Sequence, residues 1–238
     1  IKDIIAKREK IHKQGPKAPN YLDNLARLAR LCEYRTRDLA RAGQLYRDAY
    51  EQTGRSMQWG RNLAYFYARN GDYAKGEGIL KAGVNTAKSK SAKVAWLIMH
   101  GKFLSRNDPK QAMGAFEQAS AIEPQNPSPL HAKATLFAQV GDWPNAIQNM
   151  SAYLAKRGED MSSRKILIQY RINGREYDKA EKELDAILAK NPTDAQGLLL
   201  KAVLFRSRGL PAKAVAVATQ AIEKHPEFTT ALSVRASA

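Results

Sequence analysis

Apolar and small residues recur along the chain at two spacings, one within helices and one between them. Within segments they fall at i, i+4 and i+7, which is the stripe of an amphipathic helix. Between segments, a short polar phrase that ends in a small residue returns six times, at intervals of 34 or 36 positions. Its last residues are Ala42, Gly76, Ala112, Ala146, Ala180 and Ala214. A repeat of this length that carries helical stripes predicts a chain of stacked helical hairpins.

A second, weaker stripe precedes the turn of each hairpin. We call a set of equivalent positions in the six repeats a column. In one column of this stripe three copies hold a small residue, and three places later four copies hold an aromatic residue. Small residues let two helices approach closely, while aromatic residues fill the space beside the contact. Proline follows the second helix at Pro124, Pro192 and Pro226, where it ends the helix. No alternating pattern of a strand competes with this interpretation.

The 34-residue pattern resembles the tetratricopeptide repeat. Trp96 falls at the Trp position of that repeat and Leu63 at its Leu position, while Tyr73 and Tyr177 match the aromatic residue of the turn. The resemblance covers nearly the whole chain, as about six full repeats. It implies an all-α fold, a right-handed superhelical solenoid of antiparallel helix pairs.

The repeat columns divide the chain into successive segments. Residues 1–17 are expected to form an N-terminal helix, either a cap or an unrelated preceding element. Residues 229–238 are expected to begin a truncated seventh repeat of a longer parent protein. The six full repeats are expected at 23–56, 57–90, 93–126, 127–160, 161–194 and 195–228.

Repeat one departs from the columns in its first helix. Arg30 and Glu33 stand where a small residue and an aromatic residue are expected, and Ala29 and Cys32 precede them by one place. We therefore expect the first helix of this repeat to be shifted by one residue. Cys32 is expected to be a small buried hydrophobe rather than a nucleophile.

Repeats three and five depart in other ways. Repeat three has His100 at the small column with Gly101 beside it, which predicts a shift in the opposite direction. Repeat five has Ile168 and Arg171 with no neighbouring substitute. A large residue at the small column predicts a wider helix pair in that repeat.

Charge adds information about partners. The chain has 44% hydrophobic and 26% charged residues, as a folded globular protein does, and its net charge is +16. Most of the basic excess lies in residues 1–119. Acidic partners are therefore candidates, either an acidic protein segment or an anionic polymer such as nucleic acid or acidic polysaccharide. A merely solubilising surface is the other interpretation.

The sequence contains no recognisable catalytic motif. Its four histidines stand singly, without the paired spacing of a zinc site, and no phosphate-binding glycine motif occurs. No apolar stretch approaches the roughly 18 residues that a membrane helix needs. We therefore expect a noncatalytic protein without cofactor, metal or membrane span in this segment. The bacterial periplasm or envelope and the cytoplasm both stay open as compartments.

In the tetratricopeptide repeat family, first helices line a concave groove in which extended peptides bind. Carried over by repeat phase, the resemblance implies a set of partner-binding candidates. These are Arg27, Arg61, Tyr65, Arg69, His131, Lys165 and Arg206. Arg61, Tyr65 and Arg69 lie at i, i+4 and i+8 and so share one face of one helix.

The resemblance implies a noncatalytic protein-protein interaction scaffold that binds an extended partner segment in its concave groove, and the basic charge of the chain makes an acidic segment a candidate. It also implies a place in a larger bacterial envelope, secretion or exopolysaccharide assembly. The alternative is a basic surface that binds an anionic polymer, nucleic acid or acidic polysaccharide.

Overall fold

A computed structural model describes residues 2–225, which form thirteen α-helices and no strand. The helices are α1 (Lys2–Lys13), α2 (Tyr21–Leu31), α3 (Leu39–Gln52), α4 (Met57–Arg69), α5 (Tyr73–Thr86), α6 (Lys90–Leu104), α7 (Pro109–Ile122), α8 (Ser128–Gln139), α9 (Trp143–Arg157), α10 (Met161–Asn173), α11 (Tyr177–Lys190), α12 (Ala195–Ser207) and α13 (Pro211–Lys224). A π-helical turn, Cys32–Thr36, continues α2. The predicted all-α class is confirmed, while the predicted seventh repeat lies outside the described residues.

The chain divides into two compact units, the first ending at Asn126 and the second beginning at Pro127. In the first unit, the helix pairs are α2 with α3, α4 with α5, and α6 with α7, and α1 packs against α2. In the second unit, they are α8 with α9, α10 with α11, and α12 with α13. Thirteen helices are approximately consistent with six repeats, whose sequence-derived boundaries stay a prediction.

Aspartate side chains begin the second helix of several hairpins. Asp38, Asp72, Asp108 and Asp142 each accept a hydrogen bond from the backbone N–H three residues later, over 2.8 to 3.2 Å. This bond satisfies one of the amide donors that a helix start leaves unpaired. The recurring polar phrase of the sequence is therefore the turn and cap that start these second helices.

The π-helical turn explains the shift in repeat one. Ala29 is fully buried and Arg30 is exposed, so Ala29 occupies the small position one place early. A π turn adds one residue to a helix, and here it carries Cys32 and Glu33 into the interior. Cys32 is buried, as its predicted role as a small hydrophobe requires.

Close packing explains the opposite shift in repeat three. A Cβ atom placed on Gly101 would lie 2.4 Å from Cε1 of Phe116, so the ring of Phe116 occupies the space that a side chain would need. His100, beside it, is also buried and lies 3.4 Å from the carboxylate of Glu77. Gly101 is therefore the small residue of this helix pair.

Repeat five carries large side chains where other repeats have small and aromatic residues. Ile168 is fully buried, and a cavity of about 400 Å³ runs along α10 and α11. Arg171 pairs there with Glu183. The wider helix pair expected from these large side chains stays a prediction.

Candidate functional site

A cavity of about 590 Å³ opens in the first unit beside α2, α4 and α6, the first helices of its three hairpins. We call it the α2–α4–α6 cavity. Its basic lining residues are Arg30, Arg61, Arg69 and Lys102. Among the described residues that line it, none is acidic. The predicted cluster of Arg61, Tyr65 and Arg69 lies in this cavity.

Arg69 is held in place by a buried carboxylate. Its Nε lies 2.9 Å from Oε1 of Glu33 and its Nη2 lies 3.1 Å from Oε2, while the side chain of Glu33 is 3% exposed. The hydroxyl of Tyr46 donates to the same carboxylate over 3.1 Å. Burial, together with the negative charge of Glu33, raises the pKa of Tyr46, so this hydroxyl stays a neutral donor.

Two tyrosines flank the basic residues. Tyr34 is 54% exposed, and the guanidinium carbon of Arg69 lies 5.9 Å from the centre of its ring, within the range of a cation–π contact. Tyr65 meets Phe103 edge to face, with ring centres 5.3 Å apart. Burial raises the pKa of Tyr65, although Arg61 opposes this shift. The cavity therefore combines cationic groups with fixed aromatic rings.

Three basic side chains in the cavity have no carboxylate partner among the described residues. Within residues 2–225, Arg30, Arg61 and Lys102 form no ion pair, whereas the charge of Arg69 is offset by Glu33. Guanidinium and ammonium groups in this state can donate hydrogen bonds to a carboxylate or phosphate that enters from outside. The lining of the cavity therefore has the chemistry to accept an anionic group.

Arg27 lies on a neighbouring part of the same surface. It pairs with Asp23 at 2.9 Å across one turn of α2, and both residues line a cavity of about 660 Å³. Arg30 and Asn62 line this second cavity as well as the α2–α4–α6 cavity. The structure thus brings Arg27, Arg61, Tyr65 and Arg69, named above, onto one connected surface.

The other three candidates lie in the second unit. Lys165 is buried, and its Nζ donates to both carboxylate oxygens of Asp194 over 2.7 Å. Asp194 in turn accepts from the backbone N–H of Gly197 and so begins α12. Because its ammonium group is committed to this carboxylate, Lys165 has a structural contact instead of a partner-facing position.

The other two second-unit candidates lie on the first helices α8 and α12. His131, on α8, is half-buried and meets Tyr153 edge to face with ring centres 5.1 Å apart. Arg206 is exposed at the end of α12. Their predicted roles in partner binding stay predictions.

Three residues that line or support the cavity lie outside the set of partner-binding candidates predicted from the sequence. Glu33, Arg30 and Lys102 were absent from the predicted set, although all three support or line the cavity. A signal for Glu33 existed, since a carboxylate stands in a column that holds aromatic residues in other repeats. Its basic partner, Arg69, follows 36 residues later, which is close to one repeat.

Across the described part of the chain, no three His, Cys, Asp or Glu side chains gather as a metal site. No helix in residues 2–225 combines the length and the apolar character needed to cross a membrane.

Comparison with known proteins identifies the fold. A model of the tetratricopeptide repeat family matches residues 131–195 and 167–227. A tetratricopeptide repeat protein from Parabacteroides merdae is 13% identical, with a TM-score of 0.60 over 98% of this chain and 93% of its own. The type IV pilus biogenesis factor PilW is 18% identical, with a TM-score of 0.61 over 91% of this chain and 99% of its own.

A third solved structure is YrrB, described as a tetratricopeptide repeat protein with an unusual peptide-binding site. It is 16% identical, with a TM-score of 0.54 over 80% of this chain and 97% of its own. No curated protein sequence matched the chain. At these identities the solved structures share the fold with this chain.

Proposed function

We propose that this chain, which is a tetratricopeptide repeat protein, binds an extended acidic segment of a partner protein in its α2–α4–α6 cavity. Its repeat fold supports the role of a protein-interaction scaffold, and proteins of this family are generally noncatalytic scaffolds. One observation carries the proposal: the cavity is lined by four basic side chains and by no acidic residue among those described.

The chemistry of the cavity suits a peptide with spaced carboxylates. Arg30, Arg61 and Lys102 come from three different helices, so a ligand must extend across the cavity to reach all of them. A charge-assisted hydrogen bond contributes about 1.5–3 kcal/mol, and each of the two arginines can form two with one carboxylate. Tyr34 and Tyr65 add apolar contact area beside the charges, as aromatic residues commonly do at binding sites.

The alternative is a diffuse polyanion site that holds nucleic acid or acidic polysaccharide. It is favoured by the net charge of +16 and by exposed lysines of the first unit outside the cavity, such as Lys88, Lys90 and Lys93. Under this alternative, affinity would depend on the total charge of the ligand more than on the cavity.

The wider context is also proposed by resemblance. Long bacterial arrays of this repeat often organise envelope, secretion or exopolysaccharide assemblies, and we propose a scaffold role of that kind for this chain. PilW is a pilus biogenesis factor and YrrB has a peptide-binding site. We propose that this chain likewise binds a peptide segment and belongs to a larger assembly. The compartment stays open between the bacterial envelope and the cytoplasm.

A salt titration distinguishes the two ligand classes. We would measure binding of a Glu-rich peptide and of a single-stranded oligonucleotide of equal charge, each from low to high salt, by fluorescence anisotropy. The proposal expects tighter binding of the peptide, with a salt dependence set by about three ion contacts. Tighter and more steeply salt-dependent binding of the oligonucleotide would favour the polyanion alternative. Binding of neither would leave the charge as a solubilising surface.

A further inference from the structure

Two exposed hydrophobic side chains of the first unit face the same cavity. Ile4 on α1 is 52% exposed and Tyr34 on the π-helical turn is 54% exposed, and both line a space of about 380 Å³. We call this space the α1–α2 notch. Its remaining lining residues are Arg8, Arg27, Arg30, Leu31 and Arg35. The notch is therefore an apolar floor with an arginine rim.

Polar contacts hold α1 in place and leave Ile4 available. Nδ2 of Asn24 donates to the backbone oxygen of Arg8 over 2.8 Å, and Arg8 donates back to Asn24 Oδ1 over 3.1 Å. Arg41 donates to Glu9 over 3.0 and 2.6 Å. No residue of α1 is buried. Part of α1 packs against the hydrophobic core of the unit, whereas Ile4 stays exposed and keeps apolar area that its own unit does not use.

The π-helical turn gives Tyr34 its outward position. Cys32 and Glu33 are buried, so the two residues that follow them, Tyr34 and Arg35, lie on the exposed side of the turn. The hydroxyl of Thr36 donates to the carbonyl oxygen of Cys32 and helps to hold this turn. Such turns inside α-helices are frequent at functional sites.

The notch continues into the proposed peptide site. Arg30 and Tyr34 line both the notch and the α2–α4–α6 cavity, and Arg27 links the notch to the cavity beside Asp23. A chain that lies in the α2–α4–α6 cavity therefore reaches the notch without leaving the surface. The arginine rim favours a ligand that is acidic on both sides of the apolar floor.

We propose that the α1–α2 notch binds one apolar side chain of the partner segment, next to its acidic residues. The ligand is then an acidic segment with a leucine- or phenylalanine-type anchor, and this proposal rests on the proposed function. The acidic residues contact Arg30 and Arg61, while the anchor covers Ile4, Leu31 and the ring of Tyr34. Apolar area that leaves water supplies the added affinity.

A pair of peptides tests the proposal. Both carry the same Glu-rich run, and one ends in Leu while the other ends in Ser. We expect the wild-type protein to bind the Leu peptide about tenfold more tightly than the Ser peptide, because the notch desolvates the anchor. Ile4→Ser should remove this difference in affinity and leave the affinity for the Ser peptide unchanged. The unchanged affinity for the Ser peptide also shows that the variant is folded. Leu39→Ser, at another exposed hydrophobic residue of the same unit, should keep the difference.

The outcomes separate this proposal from the proposed function. Equal binding of the two peptides by the wild-type protein would overturn the notch and leave the acidic site standing. A preference for Leu that survives both Ile4→Ser and Tyr34→Ala would also overturn the notch. Binding of neither peptide would overturn both proposals. If an oligonucleotide of equal charge binds more tightly than both peptides, the ligand of this surface is a nucleic acid and the proposed apolar anchor is wrong.

Discussion

Arg69 and Glu33 lie 36 residues apart and form a two-bond ion pair that joins the first helices of two neighbouring hairpins. The side chain of Glu33 is 3% exposed, whereas that of Arg69 is 43% exposed at the cavity. The buried carboxylate of Glu33 therefore holds the guanidinium group of Arg69 at the wall of the cavity. Arg61, two turns earlier on the same helix, forms no ion pair within residues 2–225 and is free to meet a ligand.

Removing Arg69 should destabilise the protein more than neutralising Glu33. Arg69→Met leaves a buried carboxylate with Tyr46 as a donor, which should cost about 2 kcal/mol of unfolding free energy. Glu33→Gln removes the buried charge and keeps one of the two acceptor oxygens, so it loses only part of these hydrogen bonds and should cost about 1 kcal/mol. Arg61→Met is the control and should change stability by less than about 0.5 kcal/mol. Urea denaturation checks the order, and equal losses for Arg69 and Arg61 would reject the anchoring role of Glu33.

Two glycines of α5 should respond in opposite directions to alanine. A Cβ on Gly76 would lie 2.5 Å from the carbonyl oxygen of Ala64, which cannot move without its helix. Gly76→Ala should therefore lose about 1–3 kcal/mol through overpacking. Gly78 has no neighbour within 4 Å of such an atom, so Gly78→Ala should gain about 0.5–1 kcal/mol from helix propensity. Similar shifts in melting temperature for both variants would contradict the close helix contact.

The Lys165–Asp194 ion pair should make the free energy of unfolding depend on pH in the acid range. Burial alone would raise the pKa of Asp194, but the hydrogen bonds from Lys165 and from the N–H of Gly197, with the Lys165 charge, lower it below its usual value. A carboxyl group with a lowered folded pKa stabilises the protein fully above its unfolded pKa of about 3.9. This contribution is lost as pH falls through the lower folded pKa.

A double-mutant cycle of Lys165→Met and Asp194→Asn measures this dependence directly. The coupling free energy between the two side chains should be present at pH 7 and should fall steadily below about pH 4. Chemical denaturation at several pH values gives the coupling. A coupling that is unchanged at the lowest pH would mean that the ion pair contributes no pH-dependent stability.

Cys32 should react slowly in the native protein. Burial raises the pKa of its thiol, and the charges of Asp38 and Glu9 raise it further, so both access and thiolate content are reduced. Labelling by a disulfide reagent at pH 8 should be roughly a hundredfold slower than in urea. The double variant Cys32→Ala/Arg35→Cys moves the thiol to an exposed place on the same turn and should label fast. Equal rates for the two thiols would contradict the buried position of Cys32.

The fold could be predicted from the sequence because its signals are local and repeated. Small residues at fixed intervals, such as Ala42 and Ala146, mark contacts that each hairpin makes in the same way, and both are fully buried. The shift in repeat one was also readable, since Ala29 stands beside Arg30. The π-helical turn that causes it was not predicted, because a one-residue insertion can be accommodated in several ways.

The candidate site could be predicted only in part, because contacts between hairpins decide which charged side chains stay available to a ligand. Repeat phase placed Arg61 and Lys165 at comparable positions, yet Arg61 faces an open cavity and Lys165 is buried against Asp194. The two differ in whether the carboxylate that caps the first helix of the next hairpin reaches them. A sequence column describes a position on one helix, and it does not describe which charges meet across helices.

The most direct measurement of the central claim is the affinity for a Glu-rich peptide after two matched charge reversals. Arg61→Glu/Lys102→Glu alters the cavity, and Lys88→Glu/Lys90→Glu makes the same change in net charge at exposed positions outside it. Arg69 is left intact because its reversal would place a second carboxylate against Glu33. At physiological salt, we expect the cavity variant to lose at least about a hundredfold in affinity and the control to change less than about threefold. Equal losses in both variants would contradict binding in the α2–α4–α6 cavity.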